Sequence, residues 1–177
     1  FSLTILFGQY DYNLEDLNTT SDYFQDIVGT SYFPNQVTLH YFGHYNWGTC
    51  SSRFGQLNDL YDNLLSSGQT QVKLFGVGKE THLGQLSNWT NGNSIPVLID
   101  SDSYETWSNW GAGQRDLYFL DTEGNYVTDF NISSWNYNQI LNQILDIMPN
   151  QNTPPSASDA SYTLDEDNQI SIYLTAT

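Results

Sequence analysis

One cysteine, Cys50, and four basic residues are spread over 177 positions. A lone cysteine rules out an intrachain disulfide framework and any zinc site built on cysteines. The four cations (Arg53, Lys73, Lys79 and Arg115) face 20 acidic side chains, giving a net charge of −16. A surface of that sign repels phosphate backbones and anionic lipid, which excludes nucleic-acid binding. No run of about 18 apolar residues occurs, so no membrane insertion is predicted. The opening stretch FSLTILFG is too short to span and lacks the basic segment of a signal peptide. It reads as a strand, or as the end of whatever precedes it. Also lacking are a Gly-rich phosphate loop, a Ser/His/Asp set and a paired-carboxylate motif. GVGKE, residues 76–80, falls short of phosphate-loop spacing and reads as a strand-end turn.

What the chain does have is aromatic mass: 5 Trp, 13 Tyr and 9 Phe within 38% hydrophobic residues. That is enough to build a core, and the length suits one domain with a fragment of a second. The acidity reads as a solvated exterior suited to a salty or extracellular setting, with a calcium-dependent role as the alternative.

Elements alternate from Val37 onward. Residues 37–43 are rich in β-branched and aromatic side chains and predict a strand. Phe54, Leu57, Leu60, Tyr61 and Leu64 then fall on one helical face, which Ser66-Ser67-Gly68 ends. Residues 71–76 and 95–100 predict two more strands, the latter with Pro96 at its start. Short helices are expected over 83–89 and 104–110. Residues 116–121 and 126–130 flank TEGN and predict a hairpin, with Gly124 at a positive φ. A last helix has Asn136 as N-cap, Gln139 three residues on, and Ile140, Leu141, Ile144, Leu145 and Met148 as its apolar face; Pro149 ends it. The order predicts an α/β fold, a central mixed sheet with helices on both faces. Residues 149–158 gather prolines and read as a linker, and 159–177 as a short β-rich tail that cannot bury a core by itself.

The chemistry-bearing stretch is HYNWGTCSSRF, His44 to Phe54, between the first core strand and its helix. Strand, loop, W-G-T-C and a helix with leucines seven and ten residues after the cysteine resemble the thioredoxin fold over residues 37–148. The closing segment DLYFLDTEGNYVTDF with its helix is similar to that family's final β-β-α unit, and residues 1–36 resemble a redoxin-type lead-in. In the family this helix opens on C-x-x-C. Cys50 matches the second, resolving cysteine, while the nucleophile's position holds Trp47. The resemblance is nearest to the N-terminal domains of the selenoprotein P family, which carry selenocysteine-x-x-Cys. It implies thiol or selenol exchange with a disulfide or peroxide substrate, and no cofactor beyond a native selenocysteine at the position of Trp47. The codons UGA and UGG differ by one base.

A chalcogen at a helix N-terminus is stabilised as an anion, and a second one a turn later can close the bridge. Trp47 can do neither, so the chain as written is expected to be impaired or inactive. The alternatives are a redox-dead binding or adhesion module, and a site using Cys50 alone. Gly48 and Thr49 complete the loop, and His44 and Arg53 flank it. His44 reads as a polar loop residue or a base near the site, and Arg53 as a salt-bridge former. Alignment puts Arg115 at or beside the position of the family's cis-proline. His40 and His82 have no spaced partner that would argue for metal. Trp107 and Trp110 read as packing residues, or as walls of a groove beside the loop. The tail, ASDASYTLDEDNQISIYLTAT, resembles the start of a bacterial cadherin-like repeat, which implies a larger secreted or surface polypeptide.

Overall fold

The computed structural model describes residues 9–149. Its centre is a five-stranded sheet in the order β5-β4-β3-β6-β7. The strands are β3 (Val37–Phe42), β4 (Val72–Lys79), β5 (Val97–Asp100), β6 (Asp116–Leu120) and β7 (Tyr126–Asn131). Strands β3, β4 and β5 run parallel, and β6 and β7 close the sheet antiparallel. Parallel neighbours need crossovers, which α1 (Gly48–Ser66) supplies between β3 and β4. A 3-10 turn (Glu80–Gln85) and α2 (Ser87–Thr90) lie between β4 and β5, and α3 (Glu105–Trp110) precedes β6. Helix α4 (Tyr137–Ile147) follows β7.

All six residues of β3 are buried, as expected of a central strand covered on both faces. Its alternation sorts the core. Val37, Leu39 and Tyr41 pack with Phe54, Leu57, Leu60 and Leu64 of α1 and with Ile140 and Ile144 of α4. Phe42 packs on the other face with Trp107 and Trp110 of α3 and with Tyr12, Val28 and Phe33 of the lead-in. Each fully buried Leu or Phe contributes roughly 1.5–3 kcal/mol. The N-cap of α4 is formed as expected, Asn136 Oδ1 accepting from the Gln139 amide at 3.2 Å. Gly124 turns the hairpin at φ +80°.

Three expectations need correcting. Residues 76–79 are not a turn, because β4 continues through Lys79. The two glycines there serve ring packing: a Cβ on Gly76 would collide with Phe54 and Trp89, and one on Gly78 with Tyr45. The segment expected as one helix over 83–89 is split between the 3-10 turn and α2. The lead-in, read without elements, forms β1 (Leu14–Glu15) and β2 (Ile27–Val28), which pair antiparallel. It is clamped to the sheet edge. Asp16 bridges Leu98, its Oδ1 accepts from the Val97 amide at 2.9 Å, and Asn18 Nδ2 donates to the carbonyls of Asn93 and Ile95. The strand reading of FSLTILFG and the whole tail, 159–177, lie outside the described residues.

Candidate functional site

The site lies where β3 runs out and α1 begins. Trp47 is the N-cap of α1 in extended backbone (φ −109°), and its side chain caps no amide. The first-turn N–H groups of a helix have no partner within it. Gly48 and Thr49 are exposed, and Cys50, the third helical residue, is fully buried. Trp47 is 49% exposed.

The Cys50 sulfur is covered from the segment that leads into β6. Gln114 Nε2 lies 3.3 Å from Sγ and Arg115 Nη1 4.0 Å from it. Arg115 sits one residue before β6 with φ +72°, a left-handed backbone that non-glycine residues seldom adopt. Its amide donates to the Phe42 carbonyl at 2.7 Å and its carbonyl accepts from the Ile132 amide at 2.8 Å, so both neighbouring strands hold it there. Its Nε donates to Ser133 Oγ at 2.6 Å. From β3, Tyr41 donates its hydroxyl to the Cys50 carbonyl at 3.3 Å.

Among the described residues, Arg53 does not form the salt bridge expected of it. Its guanidinium donates to the carbonyls of Ile132 (2.9 Å) and Ser133 (2.7 Å) and to Gln56 Oε1 (2.9 Å). It therefore ties α1 to the end of β7 rather than contacting a carboxylate.

His44 is half-buried and not a free loop residue. Its ring lies 4.5 Å from that of His82, 5.5 Å from Trp107 and 5.9 Å from Trp47, centre to centre. Burial, and then the positive fields of His82, Lys79 and Arg115, push its pKa down to about 4. His82 is also lowered, by burial and by Lys79. Lys79 stands over the rings of Trp107 (4.4 Å) and Tyr104 (4.8 Å), a cation–π arrangement. Trp107 thus reaches the site loop, and both it and Trp110 are buried, at 5% and 4% exposure.

The sequence reading brought Trp47, Gly48, Thr49, Cys50, His44, Arg53 and Arg115 together, and all seven gather at this pole of the sheet. It did not find Gln114, whose only sequence signal is its place beside Arg115. It also did not find His82, which is 38 residues from His44 and meets it only because β4 runs parallel to β3.

Comparison with solved structures gives the architecture a name. A secreted Mycobacterium tuberculosis disulfide oxidoreductase superposes with a TM-score of 0.59 at 12% identity, over 78% of this chain and 97% of that one. A thiol:disulfide interchange protein described as DsbE, from Chlorobium tepidum, superposes at 0.62 and 15% over 78% and 94%. An exposed lipoprotein thioredoxin of Streptococcus pneumoniae does so at 0.57 and 19% over 77% and 98%. The fold is thioredoxin-like. Identities this low speak for the fold alone. No protein-family model matches the chain, and neither does any curated protein.

Among the described residues of this thioredoxin-like domain, no helix is long and apolar enough to cross a membrane.

Proposed function

We propose that this domain is built on a thiol- or selenol-disulfide exchange site whose nucleophile position holds Trp47 and whose resolving group is Cys50. The observation that carries the reading is positional. Residue 47 caps α1, and the Cys50 sulfur lies within the first helical turn, between the helix and the Gln114-Arg115 segment. A chalcogen at 47 would meet the positive end of a 19-residue helix, and one turn separates it from Cys50. As written the site has one sulfur and cannot cycle. A selenocysteine at 47, as in the selenoprotein P family, supplies the missing atom without altering the rest. An extracellular setting fits the acidity and agrees with neighbours described as secreted or exposed. The cadherin-like tail belongs to the same proposal, as part of a larger secreted polypeptide.

The experiment is Trp47→Cys. The variant is expected to form an intramolecular disulfide under mild oxidant and to reduce a model disulfide or peroxide with turnover, while the parent does neither. A variant whose two thiols stay unbridged under oxidant removes the exchange reading. The exposed Trp47 indole favours the second reading in that event, a binding or adhesion module that presents an aromatic side chain at its rim.

A further inference from the structure

On the face of the sheet away from α1, Trp107 and Trp110 bury their indole N–H groups without a hydrogen-bond partner among the described residues. Buried polar atoms left unpaired are uncommon and call for a reason. The phenol beside them is paired unusually well. The Tyr12 hydroxyl lies 2.5 Å from His40 Nδ1, and His40 Nε2 lies 2.9 Å from Thr38 Oγ1. Tyr12 is 7% exposed, and His40 and Thr38 are wholly enclosed. A phenol is a stronger acid than an alcohol, so Tyr12 donates to Nδ1 and the imidazole Nε2–H donates to Thr38. Burial holds His40 neutral, with a pKa near 3, so Nδ1 is an open but weak acceptor, protonated only when the phenol beside it loses an electron and becomes strongly acidic.

The rings form a continuous series from the site loop to this phenol. Trp47 and Trp107 both contact the His44 ring, at 5.9 and 5.5 Å between centres. Trp107 and Trp110 share Phe42, at 5.3 and 5.4 Å. Trp110 lies 5.6 Å from Tyr12 and 4.8 Å from His40. The outer end, Trp47, is half exposed, and the inner end is buried.

We propose that Trp47, Trp107, Trp110 and Tyr12 form a path for one-electron oxidation, along which a radical formed at the exposed Trp47 moves inward and settles on the Tyr12 phenol. The incoming agent is a one-electron oxidant, such as an oxygen-centred radical, and it takes one electron from the Trp47 indole. The vacancy passes to Trp107 and then to Trp110. Neither buried indole has an acceptor for its N–H proton, so each remains a cation radical and is refilled by the next ring. At Tyr12 the O–H bond breaks. Its electron fills the vacancy on Trp110, its proton goes to His40 Nδ1, and a neutral phenoxyl radical and an imidazolium remain. One electron has left the protein and the oxidant is reduced by one. Tyr118, 5.3 Å from Trp110, offers no such end, because its hydroxyl donates to the Trp110 carbonyl, a poor base. The path belongs to the chain with tryptophan at position 47 and does not need Cys50; a chalcogen at 47 would take away its entry.

The test uses the full chain carrying Asn46→Cys, labelled at that exposed position with a ruthenium polypyridyl complex, so that flash-quench generates the oxidant beside Trp47. The expected record is an indole radical that decays as a phenoxyl radical grows, by transient absorption and by electron paramagnetic resonance. Tyr12→Phe keeps the ring and is expected to abolish most of the phenoxyl signal and prolong the indole radical severalfold. Trp110→Phe and Trp107→Phe, each checked for native circular dichroism, are expected to slow phenoxyl formation, and the surface variant Tyr32→Phe to leave it unchanged. A phenoxyl yield unaffected by Tyr12→Phe, or a radical that stays on Trp47 in the parent, overturns the proposal.

Discussion

The guanidinium of Arg115 and the sulfur of Cys50 lie 4.0 Å apart, although 65 residues separate them in the chain. Together with Gln114, 3.3 Å from the same sulfur, Arg115 covers a thiol that has no solvent exposure. Access to Cys50 should therefore be limited by movement of these two side chains. In the native parent, Cys50 is expected to react slowly with an aromatic disulfide reagent, and at least severalfold faster in Gln114→Ala. Both proteins should react alike in denaturant. Equal rates for parent and variant under native conditions would mean that Gln114 is not the cover.

The close approach of Tyr45 to Gly78 sets a second expectation. Tyr45 is fully buried against that glycine and donates its hydroxyl to the Leu98 carbonyl at 2.7 Å. A methyl on Gly78 has to displace the ring, and one on Gly76 has to displace Phe54 and Trp89. Overpacking of this kind costs roughly 1–3 kcal/mol. Gly78→Ala and Gly76→Ala should each lower the urea midpoint accordingly. Gly84→Ala, with open space around its Cβ, should leave the midpoint nearly unchanged.

His40 makes stability depend on pH in a stated direction. Its folded pKa is about 3 against an ordinary 6.5, because burial opposes the charged form. Between those values the unfolded chain binds a proton that the native state refuses, so native stability falls as pH drops through this window. The loss is on the order of a few kcal/mol. Asp16 and Asp100, raised by burial, work in the opposite sense, since acid relieves their charge. A variant isolates the histidine. His40→Gln, followed by urea unfolding from pH 7 to about pH 4, should lose distinctly less stability on acidification than the parent. Parallel curves would show that His40 does not titrate as its burial requires.

How far the sequence carried the fold depends on where the signal was local. Helix α1 was legible because Phe54, Leu57, Leu60 and Leu64 repeat on one face, and the last hairpin because Gly124 has a turn to make. The lead-in was not legible, since two-residue strands have no periodicity and are held by Asp16 and Asn18 reaching about 80 residues along the chain. The end of β4 was misjudged because glycines that usually mark turns here make room for Tyr45 and Phe54. At the site, Cys50 and its helix start could be read from W-G-T-C, and Arg115 only through alignment. The contacts of Gln114 with Cys50 and of His82 with His44 are products of strand order, to which local pattern is blind.

The backbone at Arg115 allows one more expectation, about why the proline typical of the fold is not simply interchangeable here. Resemblance puts that proline at or beside residue 115. In this chain the residue has φ +72° and donates its amide to the Phe42 carbonyl at 2.7 Å. Proline has no N–H and is fixed near φ −65°, so it can satisfy neither condition. Arg115→Pro should therefore destabilise the protein by about 3 kcal/mol or more, seen as a lowered urea midpoint. Glycine adopts the left-handed region freely. Arg115→Gly loses the bond to Ser133 Oγ but relieves the backbone, and the two effects, each about 1 kcal/mol, should leave stability close to that of the parent. The pair separates backbone from side chain. If Arg115→Pro were as stable as the parent and Arg115→Gly much weaker, the guanidinium rather than the left-handed turn would be what holds the β6 entrance against Cys50. If both are weak, the segment depends on both, and Arg115 is the residue through which the two strands and the cysteine are joined.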